Sequence, residues 1–289
     1  MGGVELVGLY WTVSGPVEVH TGREWSLFDF RDRCAHAQRV GFAGLGIWHA
    51  DLEHQLETRS LAEIRSIMED HGLTRLELEF LGDWFLDAGD ERRRESDRLR
   101  ALLWEAAAAL GAHHVKVGNI PGTPCPLEQV AERFGELCED AARNHDSLIA
   151  YELIPFDRNV QTLADLITVV AAAGPNGVAA LDTWHLSKLA IPPAAVATIP
   201  SGKLGWVELS DGRFEWMEDR IDEVVNHRRL PGEGEFDIRG YVEACSAHGY
   251  AGPWGVEVLS EDLRKRPIDE IFDRAFETTS AQFRAGAAA

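Results

Sequence analysis

The sequence predicts a single α/β domain, residues 1–289, built as a closed (β/α)8 barrel, and three observations carry that expectation. Eight short apolar or alternating runs recur along the chain. The intervals between them have helical spacing and mostly close on a glycine, so strand and helix alternate as a parallel sheet requires. The 289 residues suit eight such units, and no G-x-G-x-x-G or Walker-type loop follows any run to favour an open doubly wound sheet.

Taken in order, strand one is "VELVGLYW" (4–11), and "SLFDFRDRCAHAQRVG" (26–41) follows as a helix with Gly41 as its stop. "AGLGIW" (43–48) is strand two, and "LAEIRSIMEDHG" (61–72) is the helix before strand three, "RLELEFL" (75–81). "DRLRALLWEAAAALG" (97–111) is rich in strong helix formers and leads into strand four, "HHVKVGN" (113–119). A long helical segment from 127 precedes strand five, "SLIAYEL" (147–153), and "TLADLITVVAAAG" precedes strand six, "GVAALD" (177–182). Strand seven is "KLGWVELS" (203–210). The interval 211–237 then reads as the longest irregular stretch, a βα loop on the face where barrels carry their chemistry. "DIRGYVEACSAHG" is the last clear helix before strand eight, "PWGVEVL" (253–259). The terminal "AGAAA" (285–289) is expected to fray.

Composition narrows the partners. With 28 Lys and Arg against 48 Asp and Glu, the formal charge is −20, which argues against nucleic acid or an anionic membrane as the main partner. The four cysteines are far apart and form no C-x-x-C pair, so neither a disulfide framework nor a thiolate zinc site is expected. No secretory leader or stretch of ~20 apolar residues is evident, and the expected location is the cytoplasm.

The strand ends carry the functional signal. Strand five ends on Glu152, six on Asp182, seven on Glu208 and eight on Glu257. Ala150, Ala180 and Gly255 stand two residues earlier, in phase with their acids; only Trp206 breaks the run of small neighbours. Four carboxylates aimed at one mouth repel one another unless a divalent cation neutralises them. Oxygen ligands favour Mg²⁺ or Mn²⁺ over Zn²⁺.

These motifs, "YELIPF" (151–156), "LDTWHL" (181–186), "WVELSDG" (206–212), "RRLPGEGEFD" (228–237) and "GVEVLS" (255–260), resemble the xylose isomerase-like TIM barrel superfamily. This is the sugar phosphate isomerase/epimerase group, with its ketose 3-epimerases, hydroxypyruvate isomerases and inosose dehydratases. The resemblance is clearest from 147 to 260. It implies that Glu152, Asp182, Glu208 and Glu257 hold one Mn²⁺, Mg²⁺ or Co²⁺, and that Glu152 and Glu257 also form the acid/base pair. It implies further that His185 and Arg228 contact substrate. Glu208 departs from the family pattern, which often has His or Gln on strand seven, and it adds one negative charge.

The expected activity is isomerisation or epimerisation of a small keto-sugar or hydroxy-carbonyl compound. A base removes the proton beside the carbonyl while the metal stabilises the enediolate. The competing expectation is a lyase or dehydratase, because the same intermediate expels a β-leaving group. A small sugar or polyol is the expected partner, and relatives of this kind are commonly dimers or tetramers. A zinc-dependent abasic-site endonuclease would need more histidines and a basic face; a Ser-His-Asp hydrolase would need a G-x-S-x-G elbow. A sugar-binding barrel without catalysis is the remaining alternative.

Other polar residues read two ways. His49 and Asp51 follow strand two and are either helix-start residues or, for His49, a substrate contact. Lys116 either enters the barrel or lies in an outer layer. Glu77 and Glu79 share one orientation, with Glu79 nearer the mouth. His113 and His114 are expected at the stability face. Trp11, Trp48, Trp84 and Trp184 fall near strand ends, as packing or as walls around a sugar ring. Asp211 is expected to organise its loop.

Overall fold

The computed structural model describes residues 3–19 and 21–284, so the 285–289 tail lies outside the described residues. Eight parallel strands close in sequence order: β1 (Leu6–Gly8), β2 (Gly44–Trp48), β3 (Arg75–Leu81), β4 (His114–Val117), β5 (Leu148–Glu152), β6 (Gly177–Asp182), β7 (Leu204–Leu209) and β8 (Trp254–Val256). Each pairs with the next, and β1 with β8, giving the single (β/α)8 barrel that the alternation predicts.

The helices are α1 (Tyr10–Val13), α2 (Phe30–Val40), α3 (His49–Leu56), α4 (Leu61–Asp70), α5 (Glu91–Leu110), α6 (Leu127–Asn144) and α7 (Leu163–Ala172). They continue with α8 (Thr183–Lys188), α9 (Arg220–Asn226), α10 (Ile238–Ala247), α11 (Glu261–Arg264) and α12 (Ile268–Ser280). Their starts follow capping chemistry. Asp29 accepts from the Arg31 amide, so α2 begins four residues after the sequence expectation, and Ser60 with Glu63 makes a capping box on α4. Among the described residues no helix is long and apolar enough to cross a membrane.

Two expectations are corrected here. Strand one stops at Gly8, and Tyr10–Val13 forms a helical turn instead of continuing to residue 11. All four residues of that turn are buried, so it has no exposed face and its periodicity carries no signal. The interval 211–237 is not wholly irregular, because it contains α9, capped by Asp219.

Most of the core lies between sheet and helices, while a smaller cluster fills the barrel interior. There Val7, Leu9, Ala150, Val178 and Ala180 surround one large ring, that of Trp206. Gly255 makes room for it: a Cβ there would stand 2.9 Å from the indole and 2.8 Å from Leu9. Trp206 therefore keeps the phase of the other inward residues and fills the space that they leave.

The 211–237 loop is stapled by Asp211. Its Oδ1 accepts from the Gly212 and Phe236 amides at 2.7 and 3.0 Å, and its Oδ2 from Gly232 at 2.9 Å. Asp211 also pairs through its backbone with Arg229, next to Arg228. Asp211→Ala strands these buried donors, so a loss of about 1–3 kcal/mol is expected in chemical denaturation. An unchanged midpoint would mean that the loop is held elsewhere.

Candidate active site

The four strand-end acids do converge. Asp182 is the direct sheet partner of Glu208, Glu152 of Ala180, and Glu208 of Gly255, so alternation turns all four side chains inward at one level. One oxygen from each of Glu152, Asp182, Glu208 and Glu257 lies within 4.8 Å of the others. All four are buried.

Lys116 enters the barrel from β4 and reaches two of these acids. Its Nζ donates to Glu208 Oε1 and Glu257 Oε1, both at 2.8 Å, and lies 3.1 Å from Glu79 and 3.4 Å from Glu77. Arg228, from the 211–237 loop, donates to Asp182 Oδ2 at 2.6 Å and lies 3.5 Å from Glu257 Oε2. Its guanidinium rests over the Trp184 ring at 4.9 Å. Two buried cations thus offset half the charge of the four carboxylates, and Lys116 answers the extra negative charge of Glu208. Trp206 Nε1 also donates to Glu208 Oε1, at 2.7 Å.

The electrostatics follow from this arrangement. Burial pushes Glu208 and Glu79 well above the usual carboxylate range and raises Asp182. Burial acts on Glu257 in the same direction, yet Lys116 and Arg228 hold it down at about 2. Lys116 is raised well above its ordinary value, because the surrounding acids outweigh its loss of hydration.

His185 stands on α8, which starts where the Asp182 carboxylate caps it by accepting from the Trp184 amide at 2.8 Å. That short helix brings His185 Nε2 to 3.3 Å from Glu152 and 3.6 Å from Asp182. His49 opens α3; its Nδ1 accepts from the Phe80 amide at 3.3 Å, and burial lowers its pKa.

A cavity of about 880 Å³ opens above this floor, lined by Glu152, Glu257, His185, Arg228, His49, Lys116 and Glu79 among others. Asp182 and Glu208 lie beneath it. Trp11 and Trp48 form part of its wall, whereas Trp84 packs among Phe85, Phe134 and Tyr151 in the outer core. Asp51 is structural: it accepts from Ser26 and pairs with buried Arg33 at 2.6 Å. His114 is buried against Glu77 at 3.1 Å, and His113 packs on Trp206. Lys116 and Glu79, which the sequence left between two readings, belong to the site.

The residues fit a divalent cation. Glu152 Oε1 and Glu208 Oε2 are buried and accept no hydrogen bond, an arrangement that is expensive for bare carboxylates. Their spacing matches an ion with 2.0–2.6 Å oxygen bonds, which sets its ligands about 3–5 Å apart.

A family model described as xylose isomerase-like TIM barrel matches residues 34–280. A 3-dehydroshikimate dehydratase of Pseudomonas putida (strain KT2440) is 26% identical over 230 residues, 79% of this chain. A protein of the same name from Pseudomonas aeruginosa (strain PAO1) is 28% identical over 236 residues, again 79%. The chain spans only 36% of the length of each of these relatives. The crystal structure of the IolI protein with a binding zinc atom superimposes with a TM-score of 0.79 at 17% identity, covering 96% of this chain and 97% of that one. With the family model covering most of the barrel, the chain belongs to the xylose isomerase-like TIM barrel family.

Proposed function

We propose that this chain, holding one divalent cation, removes the proton beside the carbonyl of a small polyhydroxylated substrate and then expels the β-hydroxyl as water. The observation that supports this reading best is Glu152: it lines the cavity and has a carboxylate oxygen that accepts no hydrogen bond, with His185 3.3 Å away. The dehydratase names of the two curated relatives favour elimination over isomerisation.

Glu152, Asp182, Glu208 and Glu257 would hold the cation, and their oxygens favour Mn²⁺ or Mg²⁺ over Co²⁺ and Zn²⁺. When bound, it supplies Lewis-acid polarisation of the carbonyl oxygen. Glu152 takes the α-proton, and the C–H electron pair moves toward the carbonyl as an enolate. That pair returns to form the C=C bond as the β C–O bond breaks. His185 gives a proton to the departing hydroxyl, which leaves as water. The proton on Glu152 then passes back to His185 across their contact, restoring both groups. Arg228 and His49, both on the cavity wall, position substrate oxygens.

Glu257 supports a second reading. It lines the same cavity from the β8 side, three strands round from Glu152, so a proton returned to the substrate from that side would leave it intact, without loss of water. That outcome is isomerisation or epimerisation. Metal-loaded protein incubated in D₂O with 3-dehydroshikimate, and separately with ketohexoses, distinguishes the two by mass spectrometry and NMR. Loss of one water supports the lyase; deuterium on the α-carbon of an otherwise intact molecule supports the isomerase. No exchange and no elimination with any of these substrates would overturn both.

A further inference from the structure

The cavity above the acids does not match a bare sugar. Beyond the acidic floor and the His49 and Arg228 side chains, much of the wall is apolar: Trp11, Trp48, Phe80, Ile120, Phe156 and Ile221 all face the cavity. Two of the charged residues on the outer edge are already engaged, Arg92 with Asp90 and Thr123, and Glu95 with Arg98. A free sugar carries a hydroxyl on almost every carbon, and hydroxyls set against such walls lose water without gaining a partner.

Two further features point the same way. Five large apolar side chains are exposed among the described residues, and two of them, Ile120 at 41% and Ile221 at 53%, stand on this rim. Exposed apolar groups gathered at a cavity mouth mark a binding surface rather than scatter. The volume, about 880 Å³, lies near the upper end of the ~300–1,000 Å³ range for pockets that enclose drug-sized ligands. That is far more room than one small ring needs.

We infer that the substrate is a conjugate, a polyhydroxylated carbonyl ring that carries an aromatic group, with the ring on the acidic floor and the aromatic group against the Trp48, Phe80 and Phe156 walls. The inference rests on the reading above for the placement of the reacting ring. Aromatic faces offer both area and stacking to such a group, and the rim isoleucines close over it.

Calorimetric titration of the metal-loaded protein with phenyl β-D-glucopyranoside and methyl β-D-glucopyranoside tests it, because the two share every hydroxyl and differ only in the appendage. The phenyl compound is expected to bind at least about tenfold tighter. An I120Q/I221Q double variant changes only exposed rim side chains; it should cut that preference at least threefold while leaving the methyl compound unaffected. Phe156→Ala should reduce the preference further. A preference below threefold, including no binding of either glycoside, overturns the inference, as does an undiminished preference in both variants. These are binding readouts on unreactive probes, so they fail independently of the exchange experiment in D₂O.

Discussion

Glu152→Gln is expected to lower turnover about 10²–10⁴-fold, the range that a positioned general base supplies, with the barrel intact. The amide keeps the size of the side chain and removes its basicity. Among the described residues Glu152 has no lysine or arginine partner; its one ion-pair contact there is His185 at 3.3 Å. Neutralising it loosens only the His185 contact, which Asp182 shares at 3.6 Å, and relieves repulsion from Asp182, Glu208 and Glu257, so the thermal midpoint should hold or rise. The rate of α-proton exchange into D₂O isolates the base role from later steps. Metal binding by calorimetry separates base from ligand: if saturating Mn²⁺ restores the rate, Glu152 acts only by holding the ion. A wild-type exchange rate in Glu152→Gln at ordinary metal concentration would remove Glu152 from the chemistry altogether.

The architecture was legible because barrel strands are buried on both faces and so stand out as apolar runs. All eight observed strands fall within the predicted runs, and Glu152, Asp182, Glu208 and Glu257 converge as their shared phase implies. What resisted reading were short elements without periodicity. The turn Tyr10–Val13 is buried on all sides, and α3 starts after Trp48, which offers no side-chain cap. Lys116, left between two readings, is the instructive case. Alternation along "HHVKVGN" puts His114 and Lys116 on one face, but one strand alone does not say which face looks inward. The signal lay in the neighbouring strand: Glu77 pairs in register with His114, and Glu79 shares its phase. Two acids in phase on β3 beside a histidine and a lysine in phase on β4 make mutual counter-ions only if all four point inward. The apolar walls were harder still, since Trp11, Trp48, Phe80, Phe156 and Ile221 come from separate segments that only the closed barrel brings together.

Lys116→Met should be the most destabilising change at this site in chelated protein, by about 3–5 kcal/mol, the cost of leaving one side of a buried ion pair without its partner. Lys116 is 1% exposed and is the one cation that Glu208 contacts among the described residues, while Glu257 retains Arg228 at 3.5 Å. Without the ammonium, buried Glu208 must take up a proton or remain an unscreened anion beside Glu257, and both outcomes disfavour the folded state. The prediction therefore extends to a double variant. Glu208→Gln removes the charge that Lys116 answers, so K116M/E208Q should be more stable than Lys116→Met alone, with a coupling of about 0.5–3 kcal/mol, as for residues in direct contact. Metal gives the same logic a second readout. A divalent ion replaces part of the missing positive charge and stabilises the fold by selective binding, so Mn²⁺ should raise the thermal midpoint of Lys116→Met more than that of wild type. Urea denaturation with and without chelator measures all of these quantities. Wild-type stability in chelated Lys116→Met, or additivity in the double variant, would show that the ammonium is not the counter-ion that lets a glutamate stand on strand seven.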